Sequence, residues 1–114
     1  MAKRKSKFRY ALWLLAPLKR PLFYKMLKAG RAYPMVKGIH LALIAAMPER
    51  ERQTRRGLDT LTGTRRYQRA LLEENAIRFD ADGEPFESVS DADREHAKLR
   101  LKNLNRKAVI RGEG

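Results

Sequence analysis

The chain contains no cysteine, so neither a disulfide framework nor a thiolate metal site can exist in it, as expected of a protein of the reducing cytoplasm. Histidine is nearly as scarce. His40 and His96 stand far apart and in no metal-ligand spacing, which leaves two satisfied or solvent-facing imidazoles as the expectation. Acidic residues are missing from the whole stretch Met1 to Pro48, which carries 11 basic ones. No apolar run approaches the ~20 residues of a membrane span. Tyr10–Leu18, YALWLLAPL, follows a basic run as a signal peptide would, but Lys19, Arg20 and Pro21 stand where a small-residue cleavage site belongs. A short helix packed on the domain, or on a partner, is the plainer account. Nucleophile elbows, phosphate loops and HExxH motifs are absent as well, so neither an enzyme nor a cofactor is expected.

What is present is positive charge, 26 Lys and Arg against 13 Asp and Glu, for a formal net charge of +13. Such an excess repels itself in a compact state and points to a polyanionic partner. Hydrophobic residues at 43% still suffice for a packed core of single-domain size. One acidic island, Phe79–Ala97 with 7 acids and 1 base, interrupts the basic molecule.

Periodicity predicts a mainly α fold of five to six helices with one small β-hairpin before the last helix. Met1–Arg9 reads as a flexible basic arm, and Ala11–Ala16 as a short helix. Leu22, Phe23, Met26 and Leu27 recur at helical spacing up to Gly30. After the Tyr33-Pro34 turn, Gly38–Met47 is apolar nearly all round and reads as a buried helix, the best core candidate. Glu49–Thr62 forms a charged helix with Leu58 and Leu61 inward, slightly weakened by Gly57. Thr64 caps a helix from Arg65 to about Glu74. Ile77–Phe79 and Phe86–Val89 flank an Asp82-Gly83 turn, and Ser90 with Asp93 opens a last helix to about Arg106. The acids Asp80, Asp82, Glu84 and Glu87 then belong to a solvated turn, so no metal is expected.

The chemistry concentrates at Thr64, Arg65, Arg66 and Tyr67, with Arg69 following and Arg78 beyond. A helix start offers unpaired N–H groups to a phosphate, guanidinium forks add to that, and a tyrosine ring can stack on an unpaired base. The same spacing serves equally a Tyr67 ring that fills the core beneath a solvated arginine face. Arg52, Arg55 and Arg56 recur at spacings that would track a phosphate backbone, although nearby Glu49, Glu51 and Asp59 permit an ordinary salt-bridged face.

Three segments stand in order between about Tyr33 and Leu104: Pro34-Met35-Val36-Lys37-Gly38-Ile39, Thr64-Arg65-Arg66-Tyr67-Gln68-Arg69-Ala70-Leu71, and Arg78-Phe79-Asp80-Ala81-Asp82-Gly83-Glu84-Pro85 followed by His96-Ala97. Together they resemble the ProQ/FinO family of RNA chaperones. Lys37 falls one place later than the family lysine, and Gln68 replaces the usual leucine. The resemblance implies a helical domain that holds the lower stem of a terminator hairpin and takes its 3′ single-stranded tail in a pocket. By position, Tyr67, Arg78, Arg66 and the Thr64 helix start would serve the tail, and Lys37, Arg55, Lys98 and Arg100 would meet the RNA backbone; the spacing read above adds Arg65 to the tail set and Arg52, Arg56 and Arg69 to the backbone set. The chain then divides into an N-terminal basic arm with short helices (1–32), the RNA-binding domain (33–106) and a frayed basic tail (107–114). The implied partners are small regulatory RNAs and message 3′ ends. Composition alone supports as well a general structural or ribosome-associated RNA binder, and YALWLLAPL leaves open a membrane-surface module; oligomeric state is not legible.

Overall fold

The computed structural model describes residues 6–110, with side chains described through Lys107. Six helices and one hairpin follow in the order α1 (Lys7–Leu15), α2 (Pro21–Ala29), α3 (Ile39–Ala46), α4 (Glu51–Thr62), α5 (Arg65–Leu71), β1 (Ile77–Phe79), β2 (Pro85–Ser88) and α6 (Asp91–Ile110). Short 3-10 turns at Ala16–Leu18 and Pro48–Arg50 lie after α1 and before α4. No described helix is long and apolar enough to cross a membrane.

The helix ends follow from local chemistry. Ser6 caps α1 by accepting the Arg9 N–H at 3.1 Å. Pro21 occupies the first turn of α2, where its missing N–H costs nothing, and Gly30 closes that helix at φ 67°, a conformation that favours glycine. α3 stops at Ala46 because Met47 precedes Pro48 and is driven out of the helical region, to φ −140° and ψ 74°. Thr64 Oγ1 accepts the Tyr67 N–H at 3.2 Å, and Ser90 Oγ accepts the Asp93 N–H at 3.1 Å, as the sequence predicts for both caps.

Besides α5, which ends at Leu71 and not near Glu74, three expectations need correction. The basic arm does not extend to Arg9: the helix already begins at Lys7, and Phe8 is buried because it reaches the core, while residues 1–5 lie outside the described part. The segment Gly38–Met47 is not buried all round. Only Ile39 and Leu43 of α3 are buried, and Leu41 is 65% exposed, since α3 packs by one side on α4 and turns its alanines outward. The last helix continues through Lys107 to Ile110, leaving 111–114 of the tail outside the described residues.

The core draws Phe8, Leu12, Leu15, Leu22, Phe23 and Met26 from the first two helices into one cluster with Met35, Leu43, Leu58, Leu61, Tyr67, Leu71 and Ala97. The core therefore crosses residue 33, where the resemblance begins. Gly57 allows α1 to lie close on α4, since a Cβ there would stand 2.8 Å from Leu15 Cγ. β1 pairs antiparallel with β2, Arg78 opposite Glu87, and the register shifts between Arg78 and Phe79. On its other edge β1 takes the Pro34–Val36 segment: the Val36 N–H donates to Phe79 O at 3.0 Å and the Phe79 N–H to Pro34 O at 2.8 Å. That pairing sets the Met35–Ile39 loop against α4 and α5.

Candidate nucleic-acid interface

A cavity of about 350 Å³ opens where this loop meets α3, α4 and β1. Met35 to His40 form one wall, Arg55, Leu58, Asp59 and Thr62 of α4 another, and Tyr67 and Arg78 the floor. Lys37, Arg55 and Arg78 thus face one lining carboxylate, Asp59, in a space of mixed polarity.

The floor is built around the backbone of Met35. Its N–H donates to Tyr67 Oη at 3.0 Å, and its carbonyl accepts from Arg78 Nη1 at 2.7 Å. Arg78 is only 7% exposed, so its charge has to be met by the protein. Asp93 supplies the counter-charge, with Oδ2 at 2.9 Å from Arg78 Nη2 and 3.1 Å from Lys37 Nζ. Hydrogen bonds from Lys37 and Arg78 hold the Asp93 carboxyl at a pKa of about 2. Burial pushes the Tyr67 phenol above its ordinary value, so it is a neutral hydroxyl throughout the physiological range.

Of the two readings of Tyr67, the core one describes its ring. It is 5% exposed and packed in the main cluster, which leaves no face on which a base could stack; its hydroxyl accepts the Met35 N–H. Tyr67 and Arg78 share the cavity, and Lys37 and Arg55 join them there.

Thr64, Arg65 and Arg66 do not line it. Thr64 spends its hydroxyl on the cap and on Leu61 O, while Arg65 reaches α6, donating to Asn105 Oδ1 at 3.1 Å. Arg66 lies over the Phe8 ring at 4.7 Å. Arg56 lies over Tyr10 and also faces α1. Arg52, Arg69, Lys98 and Arg100 are exposed, Lys98 in an ion pair with Glu95 at 3.0 Å. In the acidic island, Asp80 Oδ1 accepts the Asp82 and Glu84 N–H groups and so serves the turn.

Several contributors went unnoticed in the sequence. Asp93 looks like a capping residue and is one, but its carboxylate also fixes both cations. His40, Asp59 and Thr62 complete the lining with no motif to mark them. Arg94 is a further surprise: its guanidinium donates to the carbonyls of Leu72 and Glu73 at 2.9 and 2.8 Å, closing the C-terminal end of α5.

Residues 15–112 match the ProQ/FINO family, a span that includes α2 and every described element after it. A FinO-like RNA chaperone from Neisseria meningitidis has a similar fold, with TM-score 0.61 and 20% identity over 94% of this chain and 86% of that one. A ProQ homolog from Legionella pneumophila is similar to the same degree, with TM-score 0.61 and 21% identity over 90% and 85% of the two chains. No curated protein sequence matches.

Proposed function

Because this chain belongs to the ProQ/FINO family, we propose that it is an RNA chaperone that receives the 3′ end of a structured RNA in the cavity between the Met35–His40 loop, α4 and β1. The observation that carries this reading is the convergence of Lys37, Arg55, Tyr67 and Arg78 on one open space. Guanidinium and ammonium groups donate to phosphate oxygens, and a fixed neutral phenol can exchange hydrogen bonds with a ribose hydroxyl. No ring face is available there for base stacking, so the cavity would read the sugar–phosphate end of the chain more than its sequence. The exposed cations Arg52, Arg69, Lys98 and Arg100 would meet the phosphates of the adjoining stem, with affinity that falls as salt rises. Pairing of small regulatory RNAs with messages, or protection of message ends, in the cytoplasm follows as the role.

A gel shift with a terminator hairpin tests the reading. The hairpin with its free 3′ uridine tail should bind more tightly than the same hairpin trimmed or blocked at its 3′ end. Lys37 and Arg55 are the cleaner positions for substitution, since both side chains are more than half exposed. Arg55→Ala should weaken the tailed hairpin roughly tenfold, the worth of one charge-assisted contact, and leave the trimmed one nearly unaffected. Equal binding of tailed and trimmed hairpins would favour the general RNA scaffold instead.

A further inference from the structure

Two cations of the cavity depend on one carboxylate that does not line it. Arg78 is buried, with Nη1 on the Met35 carbonyl and Nη2 on Asp93. The Lys37 side chain is 67% exposed and flexible, and among the described residues its ammonium has a single partner, Asp93 again. The same oxygen, Oδ2, accepts from both, so the two nitrogens are held close enough for one phosphate group to bridge them. Asp93 is itself placed by the start of α6, where its N–H donates to Ser90 Oγ at 3.1 Å.

A carboxylate so placed acts on an arriving phosphate in two opposite ways. As a charge it repels, since Lys37, Arg55 and Arg78 are already opposed by Asp59 and Asp93. As a partner it orders. An ammonium has three donors, so the one given to Asp93 leaves two for RNA. A free lysine side chain loses much rotamer entropy when it is fixed, and here that loss is met before the ligand arrives. Arg78, buried without a counter-charge, would be driven from its place on the cavity floor. The repulsion is weak by comparison, because the Asp93 charge is shared by two cations in hydrogen-bond contact.

We infer that Asp93 is the positioning residue of the RNA-tail site, presetting Lys37 and Arg78 as a pair for one phosphate without touching the RNA itself. The inference rests on the reading of the cavity as that site. It gives the two carboxylates opposite roles. Asp59 lines the cavity with no cation partner among the described residues, so it only repels.

The ratio of affinities for the tailed and the trimmed hairpin measures the effect, in full-length protein with folding checked by circular dichroism. Asp93→Asn keeps the side chain's size and an acceptor for Arg78 but loses the charge that holds Lys37, and should lower the ratio about fivefold. Lys37→Ala should lower it as well, and the double variant should lose less than the product of the two, because Asp93 acts through Lys37. Asp59→Asn should raise the ratio. An Asp93 that served the fold alone would lower the urea midpoint on substitution and leave the ratio at the parent value. That result overturns the inference, as does a ratio that rises for both carboxylates or a double variant that loses the full product. Should Asp93→Asn not fold, Ser90→Ala loosens the turn that carries Asp93 and should lower the ratio about twofold; an unchanged ratio there overturns the inference too. A parent protein with no preference for the tail sinks the cavity reading itself, whereas a parent that prefers it beside an indifferent Asp93→Asn sinks only the positioning.

Discussion

Gly57 offers a test in which sequence rules and structure predict opposite signs. A glycine inside a helix costs roughly 0.5–1 kcal/mol relative to alanine, so by propensity Gly57→Ala should stabilise α4. The structure opposes this. The new methyl would stand 2.8 Å from Leu15 Cγ, 2.9 Å from Leu15 Cδ2 and 3.2 Å from Leu14 Cβ. Leu15 is fully buried and the contact is at its branch point, so it cannot swing aside without disturbing the core. Overpacking of this kind costs about 1–3 kcal/mol, which leaves a net loss of roughly 1 kcal/mol after the gain in propensity. Urea unfolding should show a lower midpoint at unchanged slope, and the melting temperature should fall by about 4 °C. A stability equal to or above that of the parent would refute the close approach of α1 and α4, and with it the placing of Tyr10 beneath Arg56.

Other consequences are as direct. Tyr67→Phe leaves the buried Met35 N–H without its acceptor and should cost about 1–3 kcal/mol in urea unfolding while the fold persists. Arg94→Ala removes the donors to the Leu72 and Glu73 carbonyls just after α5 and should lower stability by about 1–3 kcal/mol, an effect that a solvated surface arginine would not have. Asp93 confers a pH dependence whose sign follows from its lowered pKa. The carboxylate form is favoured by folding, so its contribution is complete above the ordinary value of 3.8 and is lost as pH falls from there to about 2. With Lys37 largely in solvent, that contribution is about 1 kcal/mol, and Asp93→Asn should flatten the acid limb of a stability-against-pH curve.

Features decided by near neighbours in the chain were legible in advance. The caps at Thr64 and Ser90, the Gly30 stop and the turn around Gly83 all depend on a few consecutive residues, and each forms as read. Burial was harder wherever it depends on what packs opposite. The composition of α3 cannot reveal that only one of its sides has a partner, and Phe8 sits in a basic stretch that says nothing of the core beneath it. Gly57 reads as a weak point in a helix until α1 is seen lying across it.

The site divides along the same line. Tyr67 and Arg78 were visible through their motifs, and the structure brings them together on the backbone of Met35. Thr64, Arg65 and Arg66 share a motif with Tyr67, yet a helix sends successive side chains in different directions, toward Leu61, α6 and α1 respectively. Asp93 could not be assigned to Lys37 and Arg78 from sequence, because the pairing exists only once α6 lies beside β1 and the Met35–Ile39 loop.

The position of the RNA terminus is the central claim, and crosslinking addresses it most directly. A terminator hairpin carrying 4-thiouridine as its last nucleotide, irradiated in complex with the full-length protein, should attach to peptides containing Lys37, His40, Arg55 or Tyr67. Attachment confined to the outer side of α3 or to the end of α6 would contradict the account.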